Sequence, residues 1–434
     1  MGVVMNMSKK RFVGCIYLKE ERAIKHFSDD TILDTDPVRL AKKYSDNGVD
    51  EIIVYDMSTD DASHEKALDI LKDICANVEA PVVGAGNVKR MEDIKKILYT
   101  GCKKAALNYE KQSNIDLTIE VSQKFGKDKI AICFSDSSKI IENRQLVDEY
   151  ASELILVDET KIKHAMFISD LELIVTLKDA VTLHRILEYL EIPCITGITG
   201  HAIYTSIMEL NSLKALCKES GLDVNMIEAA FKWSDFKLNS DGMVPCIVQD
   251  YKTNEVLMMA YMDEKAYNMT IQTGKMTYFS RSRNELWVKG DTSGHYQYVK
   301  SLTADCDMDT ILAKVSQVGA ACHTGSYSCF FNEIFAKETQ EKNPMKVFED
   351  VMKVIMDRKE NPKEGSYTNY LFDKGIDKIL KKLGEEATEI VIAAKNPNAN
   401  EIKYEISDFL YHMMVLMAEK GVTWEEITTE LANR

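Results

Sequence analysis

Short apolar runs alternate with amphipathic stretches from residue 11 to about residue 220. Each run is long enough for one buried strand, and the stretches between them, such as Pro37–Gly48 and Met91–Leu98, have helical spacing. Strand–helix alternation is typical of a parallel sheet, and eight such units in ~200 residues fit a compact (β/α)8 TIM-like barrel. The predicted strands are Phe12–Leu18, Glu51–Tyr55, Pro81–Gly84, Lys104–Leu107, Lys129–Phe134, Glu153–Val157, Glu172–Thr176 and Pro193–Ile198.

The pattern changes at about Met243, where strand-like segments follow one another with few helices between them. We interpret this part as a compact, mainly β domain that ends near Ile334, followed by a polar linker, Ala336–Asn343. Its predicted strands are Pro245–Gln249, Met276–Ser280, Leu286–Lys289 and Gln297–Ala304.

The remainder of the chain has helical periodicity, interrupted at Asn361-Pro362 and Asn396-Pro397. The predicted helices are Met345–Lys359, Gly375–Lys395, Glu401–Lys420 and Thr423–Asn433. The fold is therefore expected to be multidomain, α/β plus α+β plus all-α, with domains at residues 1–224, 225–335 and 344–434.

Composition narrows the class of protein. The 434 residues are 45% hydrophobic and 28% charged, and the formal net charge of −15 argues against nucleic acid or an anionic membrane as a partner. No apolar run is long enough to span a bilayer, and the first ten residues lack the apolar core of a signal peptide. Because the ten cysteines are scattered through a large chain, we expect reduced thiols and a cytoplasmic location.

One short segment combines two kinds of metal ligand. Asp305, Asp307 and Asp309 alternate with Cys306 and Met308, so an extended strand would place three carboxylates on one face and the thiol on the other. Oxygen ligands suit a hard cation such as Mg²⁺, whereas sulfur suits Zn²⁺.

Three cysteines have the spacing of a catalytic metal site. Cys306, Cys322 and Cys329 lack the CxxC pairing of a structural zinc knuckle, and three protein ligands would leave the fourth zinc position open. Zinc lowers the pKa of bound water to ~7. His323, beside one of these cysteines, is a candidate general acid or base.

The segment before these cysteines offers donors that could bind a phosphate: serine hydroxyls, arginine guanidinium groups and backbone amides beside glycines. The candidate substrate-binding residues are Ser280, Arg281, Ser282, Arg283, Trp287, Lys289, Thr292, Ser293 and His295.

Residues of about 226–334 resemble phosphoribosyl-AMP cyclohydrolase. The motifs are Val244–Asp250, Val256–Met262, Ser-Arg-Ser-Arg, Trp-x-Lys-Gly-x-Thr-Ser-Gly-His, and the acidic and cysteine segments. The resemblance implies that the three acids hold Mg²⁺ and that Cys322 and Cys329 bind Zn²⁺, with Cys306 supplied by a neighbouring subunit of a homodimer. It implies attack by water at C6 of the adenine ring, which opens the C6–N1 bond.

Paired carboxylates lie on two successive predicted helices. Glu386 and Glu389 are three residues apart, as are Glu405 and Asp408, so each pair projects from one helix face. Four acids from two packed helices would suit Mg²⁺ and a diphosphate.

This helical part resembles phosphoribosyl-ATP pyrophosphohydrolase of the all-α nucleotide pyrophosphohydrolases, through Gly365–Tyr370, Lys381–Glu386 and Glu405–Asp408. The resemblance implies Mg²⁺ on the four acids, Glu385 as a candidate base, and Ser366, Tyr367 and Lys382 as candidate substrate contacts. The two resemblances concern consecutive steps of histidine biosynthesis, so phosphoribosyl-adenine nucleotides are the expected partners. Two alternatives stay open: a general nucleotide pyrophosphohydrolase, and a non-catalytic scaffold stabilised by metals.

The N-terminal part resembles the histidine-biosynthesis barrels, namely the phosphoribosyl-formimino isomerase and the imidazole-glycerol-phosphate synthase cyclase. The motifs are Asp36–Tyr44, Gly48–Asp56, Gly84–Val88 and Gly200–Tyr204. The resemblance implies an acid at the end of the first and of the fifth strand, where this chain has Tyr17 and Cys133. Tyrosine cannot replace a carboxylate near neutral pH, since its pKa is ~10. We expect no isomerase activity, and a surviving phosphate site at Gly84–Asn87. Scaffolding, dimerisation, ligand sensing or an inert role remain for the barrel.

Overall fold

The computed structural model describes residues 9–335, 344–397 and 399–432. The chain separates into two compact units, Met1–Asn332 and Glu333–Arg434. The predicted linker, Ala336–Asn343, lies outside the described residues. Among the described helices, none combines the length and the apolar character that crossing a membrane requires.

The first unit begins with a closed barrel. Eight of its described strands run parallel and pair in chain order, and the last of them pairs with the first, which closes the barrel. Two further strands form an antiparallel hairpin after the first strand. The strands are β1 (Arg11–Lys19), β2 (Arg22–His26), β3 (Asp29–Asp34), β4 (Glu51–Asp56), β5 (Val82–Ala85), β6 (Lys104–Asn108), β7 (Ile130–Phe134), β8 (Glu153–Leu156), β9 (Glu172–Leu177) and β10 (Ile195–Gly200).

Helices cover the outside of the barrel, which explains why its strands are continuous apolar runs: both faces are buried. Asp36 caps the first helix by accepting hydrogen bonds from the amides of Val38 and Arg39. The helices are α1 (Pro37–Asp46), α2 (Asp61–Asn77), α3 (Met91–Tyr99), α4 (Gln112–Phe125), α5 (Ser138–Glu142), α6 (Arg144–Tyr150), α7 (Ile162–Ala165), α8 (Leu183–Leu190), α9 (His201–Ser206) and α10 (Leu210–Glu219).

The β2–β3 hairpin was not predicted from the sequence. β2 buries only Ala23 and Ile24, and β3 is polar and partly exposed, so neither has the apolar run of a strand that is buried on both faces. The turn between them carries Phe27, whose ring contacts the rings of Tyr17 and Tyr55 at 4.6 and 5.0 Å between centroids. The hairpin therefore narrows the mouth of the barrel.

Buried charges join the opposite end of the barrel. The guanidinium of Arg11, on β1, lies 2.8 Å from Glu153 and 3.2 Å from Glu51, and Lys104 lies 2.7 Å from Glu153. Desolvation disfavours the charged carboxylate of Glu153, but Arg11 and Lys104 outweigh it and keep its pKa below the ordinary value. Each of these residues is the first of its strand, so the network ties together the N-terminal ends of four strands.

The second part of the first unit is a six-stranded mixed sheet, counted over the described residues, in the order β14-β13-β12-β11-β16-β15. Two strands and one helix in it were not among the predicted elements: β12, β16 and α11. The elements are β11 (Val244–Asp250), β12 (Val256–Met262), α11 (Glu264–Thr273), β13 (Thr277–Ser280), β14 (Glu285–Val288), β15 (Gln297–Ala304) and β16 (Ile311–Gln317).

The prediction of a strand through Asp305–Asp309 is wrong. The strand ends at Ala304, and the acidic residues form the turn that connects β15 to β16. Met308 has a left-handed backbone with φ of 65°, which an extended strand does not allow, and its side chain packs against the core of the sheet.

The second unit is helical, and helix α13 in it was not predicted. Its core contains Ile355, Leu371, Ile379 and Val415. The helices are α12 (Pro344–Glu360), α13 (Tyr367–Lys374), α14 (Ile376–Ala393), α15 (Ala399–Lys420) and α16 (Trp424–Ala432). The predicted fold classes, barrel, mainly β and all-α, are thus confirmed.

The charge network at the N-terminal end of the barrel gives a stability prediction. Arg11→Met should lower the free energy of unfolding of the barrel by ~3–5 kcal/mol, because Glu51 and Glu153 would stay buried with Lys104 as their remaining cation. The measurement is native-state hydrogen exchange of the barrel strands in increasing denaturant, since a chain of two units need not unfold in one step.

The matched control is Lys19→Ala, which breaks an exposed ion pair with Asp30 and should change the same free energy by less than ~1 kcal/mol. Equal effects of the two substitutions would show that burial of the network does not matter.

Candidate active sites

The turn between β15 and β16 brings three carboxylates together. Oxygen atoms of Asp305, Asp307 and Asp309 lie within 4.8 Å of one another, and all three residues are exposed. One Asp305 oxygen accepts hydrogen bonds from the amides of Asp309 and Thr310, at 3.0 and 3.1 Å. These bonds fix the turn, and the cluster offers the hard oxygen donors that Mg²⁺ prefers.

Hydrogen-bond donors within this turn favour the ionised form of Asp305. Desolvation acts to raise the pKa of Asp305, but the amide hydrogen bonds from Asp309 and Thr310 outweigh it and lower that pKa. The ammonium of Lys237 lies 3.2 Å from Asp307. One lysine does not balance three carboxylates, so a divalent cation fits the donor set.

Two thiols lie side by side near this sheet. Thr324 donates a hydrogen bond to the sulfur of Cys322 at 3.1 Å and lowers its pKa. Desolvation raises the pKa of Cys329, as does its hydrogen bond with Cys322. Nδ1 of His323 lies 4.0 Å from the Cys322 sulfur. The pair can provide two soft ligands, with an exposed imidazole beside it.

Cys306 does not join the other two cysteines within one chain. It is exposed on the acidic turn, and the described residues contain no three-ligand group that combines Cys306 with Cys322 and Cys329. A single chain therefore offers two of the three predicted thiols at one place.

The β13–β14 hairpin forms the wall of an open cavity of about 680 Å³. Arg281 lies over the ring of Tyr261 at 4.0 Å, and Arg283 donates to the hydroxyl of Ser280 at 3.3 Å. The hydroxyls of Ser280 and Ser282 are 3.4 Å apart. The predicted phosphate-binding residues thus share one surface. Tyr261 was not singled out from the sequence, although the alternation along Val256–Met262 could have placed it on this face.

Trp287 connects this cavity to the thiol pair. Its ring lies 5.9 Å from the guanidinium of Arg283 and 5.7 Å from the ammonium of Lys289. Lys289 is buried, donates to the carbonyl of Ala321 at 2.7 Å, and has a pKa lowered by desolvation. The remaining candidates lie on the loop after Lys289 and do not line the cavity: Thr292, Ser293 and His295.

The second unit gathers carboxylates from two helices. Oxygen atoms of Glu386 on α14 and of Glu405 and Asp408 on α15 lie within 4.8 Å of one another. Desolvation raises the pKa of Glu405, and the charges of Glu389, Glu386 and Asp408 raise it further. Glu389 is exposed and lies outside the group of three. Such mutual repulsion is what a bound cation relieves.

Two lysines lie on the side of this cluster that carries Glu385 and Glu386. Lys382 lies 2.9 Å from Glu385 and 3.6 Å from Glu386, and Lys381 lies 3.4 Å from Glu385. The hydrogen bond from Lys382 lowers the pKa of Glu385, the predicted base. Ser366 caps α13, where its hydroxyl accepts from the amide of Asn369, so it has a structural contact of its own.

His412 belongs to this site and was not predicted. It is buried, its Nδ1 lies 2.8 Å from the carbonyl oxygen of Asp408, and its Nε2 lies 3.0 Å from the hydroxyl of Tyr367. A carbonyl only accepts, so Nδ1 carries the proton. The imidazole therefore fixes the backbone of a candidate ligand, a role that four-residue spacing from Asp408 on a helix could have suggested.

Known families match the parts of the chain that contain these clusters. The sequence model of phosphoribosyl-AMP cyclohydrolase matches residues 258–331, and that of phosphoribosyl-ATP pyrophosphohydrolase matches residues 348–434. A third, described as histidine biosynthesis protein, matches residues 11–158 in the barrel.

Curated relatives share the two C-terminal domains. Histidine biosynthesis bifunctional protein HisIE of Thermoanaerobacter pseudethanolicus is 54% identical, over 45% of this chain and 97% of the relative. The proteins of the same name from Caldanaerobacter subterraneus and Bacillus subtilis are 51% and 45% identical, over 46% of this chain and 96% and 95% of the relatives. The chain belongs to the family of histidine biosynthesis bifunctional proteins. It is a bifunctional hydrolase, and the predicted family resemblances are confirmed.

In this member of the bifunctional family, the interior of the barrel around Tyr17 and Cys133 is packed with apolar, aromatic and thiol side chains. Burial raises the pKa of Cys133 to about 12 and that of Tyr17 well above its ordinary value. Cys133 and Phe27 line a cavity of about 260 Å³, and the ring of Tyr17 contacts the ring of Phe27 edge-on.

Some donors next to the predicted phosphate site at Gly84–Asn87 have partners within the chain. The amides of Lys89 and Arg90, which directly precede α3, donate to the Asp93 carboxylate at 2.9 and 3.1 Å. The side-chain amide of Asn87 donates to Asp56 at 3.0 Å. Carboxylates of the chain thus occupy three donors beside this loop, and the phosphate site stays a prediction.

Each carboxylate cluster gives a prediction about metal binding. In calorimetric titration of the full chain with Mg²⁺, Glu386→Gln should weaken binding in the helical unit alone, and Asp309→Asn should weaken binding at the β15–β16 turn alone, by about tenfold or more. Glu389→Gln should have a smaller effect, since Glu389 lies outside the group of three.

Glu142→Gln, at an exposed glutamate of α5, is the control and should leave the titration unchanged. Binding that survives both cluster substitutions would place Mg²⁺ elsewhere.

Proposed function

We propose that the chain catalyses two consecutive hydrolyses of histidine biosynthesis: phosphoribosyl-ATP to phosphoribosyl-AMP and pyrophosphate, then hydrolytic opening of the adenine ring between C6 and N1. The main support is that each family match contains its own cation-compatible cluster, Asp305–Asp309 in one and Glu386, Glu405 and Asp408 in the other.

In the helical domain, Glu386, Glu389, Glu405 and Asp408 would hold Mg²⁺. The ion supplies charge neutralisation for a diphosphate and lowers the pKa of water. Lys382 can donate to a phosphate oxygen, which would release Glu385 from its ion pair and allow Glu385 to accept a proton from the attacking water. The imidazole of His412 donates to the backbone carbonyl of Asp408 and so would help to hold the Asp408 carboxylate in place.

In the β domain, the Ser280–Arg283 segment would bind the substrate phosphate by charge-assisted hydrogen bonds. Trp287 offers a ring face for the adenine, and Lys289 places a cation between that ring and the thiols. Mg²⁺ on the acidic turn supplies charge for phosphate binding. His323 would take a proton from water and return one to N1 as the C6–N1 bond breaks.

Cys322 and Cys329 would hold Zn²⁺, which supplies a Lewis acid that lowers the pKa of water. Two adjacent thiols, one with a lowered pKa, fit this soft cation. We propose that Cys306 of a second copy completes the ligand set in a homodimer, since Cys306 is exposed and separate from the pair.

We propose domain boundaries at residues 1–224, 225–335 and 344–434. Val224 packs in the barrel core, whereas Trp233 and Phe236 pack with Tyr267 in the core of the β domain, which supports the first boundary. We further propose that the barrel does not catalyse an isomerisation, because neither Tyr17 nor Cys133 can act as a base with its raised pKa.

The two activities should separate by substitution. With phosphoribosyl-ATP as substrate, Cys322→Ser should reduce ring opening by at least about 100-fold and remove bound zinc, while pyrophosphate release continues. Asp408→Asn should reduce pyrophosphate release and leave ring opening of phosphoribosyl-AMP intact. Absorbance of the opened ring, pyrophosphate release and zinc content are measured with Zn²⁺ and Mg²⁺ varied separately.

Cys194→Ser, at a half-buried cysteine of the barrel, is the control for the first substitution. Zinc-free Cys322→Ser with full ring-opening activity would contradict the zinc site. Higher kcat/KM for ordinary nucleoside triphosphates than for phosphoribosyl-ATP would favour a general nucleotide pyrophosphohydrolase.

A shared zinc site also predicts complementation between subunits. Cys306→Ser and Cys322→Ser chains should each be inactive in ring opening, but unfolding and refolding them together should restore about one quarter of wild-type activity. Half of the dimers would be mixed, and each mixed dimer would contain one intact site. If the mixture stays inactive while mixed dimers form, Cys306 does not act across an interface.

A further inference from the structure

The β domain rests on the N-terminal end of the barrel through buried polar contacts. The side-chain amide of Asn47, at the end of α1, lies 3.3 Å from the hydroxyl of Tyr298 on β15. Asn47 is 1% exposed and Tyr298 is 6% exposed. Next to them, Lys300 of β15 lies 3.4 Å from Asp46 and 3.1 Å from Glu79.

A second set of contacts involves the connection between α11 and β13. Asn211 of α10 donates to the carbonyl of Thr273 at 2.7 Å. The ammonium of Lys275 lies 3.4 Å from the carbonyl of Met208, and Lys275 is 8% exposed. Burial lowers the pKa of Lys275, as expected for an ammonium group that is largely removed from solvent where it contacts the barrel.

Tyr298 and Lys275 are partners in one antiparallel bridge, which we call the closing bridge. The amide of Met276 donates to the carbonyl of Gln297, and the amide of Val299 donates to the carbonyl of Gly274, both at 2.9 Å. β15 is an edge strand of the sheet and β13 lies near the other edge, so this bridge joins the two sides of the sheet.

Directly opposed residues of an antiparallel pair point to the same face. At the closing bridge that face is the barrel, which holds Tyr298 through Asn47 and Lys275 through Met208. The barrel therefore contacts both residues of the closing bridge, Lys275 and Tyr298, which fixes β13 relative to β15.

The two chain segments leave the closing bridge in opposite directions, because they are antiparallel. From Lys275, the chain reaches Ser280 and the phosphate-binding hairpin at one end of the sheet after five residues, or about 17 Å. From Tyr298, β15 reaches the acidic turn at the other end of the sheet. A tilt of either segment at the closing bridge would change the direction in which the hairpin and the acidic turn project from the sheet.

We propose that the N-terminal end of the barrel positions the cyclohydrolase site, with Asn47, Lys275 and Tyr298 as positioning residues. This inference rests on the proposed ring-opening activity and gives the barrel a role other than catalysis. Through the closing bridge, the barrel fixes the orientation of the phosphate-binding hairpin at one end of the sheet and of the acidic turn at the other.

The test is Asn47→Ala in the full chain, which leaves the β domain sequence unchanged. We expect kcat for ring opening of phosphoribosyl-AMP to fall about tenfold with less than about a threefold change in KM, because the site residues remain but their alignment is lost. Pyrophosphate release by the helical unit serves as an internal reference and should not change. Hydrogen exchange of residues 274–280 and 297–304 should become faster.

Asn77→Ala is the matched control. Asn77 makes the same side-chain contact to the carbonyl four residues earlier, at 2.9 Å, as Asn47 makes to Lys43, but it lies on an exposed part of α2. It should alter neither ring opening nor exchange of these strands.

Tyr298→Phe removes the same hydrogen bond from the other side with a smaller change in packing. Combined with Asn47→Ala it should add little to the loss in kcat, as expected for two residues of one contact. Wild-type kcat and wild-type exchange in Asn47→Ala and Tyr298→Phe would overturn the positioning role. Absence of ring opening in the wild-type chain would instead overturn the proposed function, while the exchange measurement would still decide whether the barrel holds the bridge.

Discussion

Repulsion between closely spaced carboxylates is the constraint that both candidate sites share. Carboxylates whose oxygens lie within 4.8 Å repel one another, and each cluster depends on nearby positive groups to remain ionised. The acidic turn uses backbone amides and Lys237, whereas the helical cluster uses Lys382 and leaves Glu405 with a raised pKa. The compensation is partial in both clusters, and both donor sets are therefore compatible with a divalent cation.

The parts of the fold that follow from the sequence are those where burial alone determines the pattern. Barrel strands are buried on both faces, and their apolar runs identify them within a few residues. The β2–β3 hairpin is half exposed and charged, so the same criterion misses it. At Asp305–Asp309, alternation of acids is compatible with a strand and with a turn; the left-handed backbone of Met308 decides between them, and no pattern of polarity encodes it.

In the candidate sites, too, some residues could be predicted from the sequence and others could not. Motifs indicated the candidate ligands, because carboxylates and thiols are rare at such spacing, whereas the groups that contact them were found only in the structure. His412 resembles any core histidine in the sequence, and its role emerges from its distance to the carbonyl of Asp408. Asn47 and Tyr298 are 251 residues apart and neither belongs to a motif, so the contact between barrel and β domain has no sequence signature.

The closing bridge gives the two ends of the barrel different neighbours. At the mouth, Tyr17 contacts Phe27 and packs with Cys133, so these contacts stay within the barrel. At the opposite end, Asn47 and Asp46 contact β15 of the β domain. A substitution of Asn47 or Asp46 would therefore disturb two domains at once, whereas a substitution of Tyr17 or Cys133 would first disturb the packing of one.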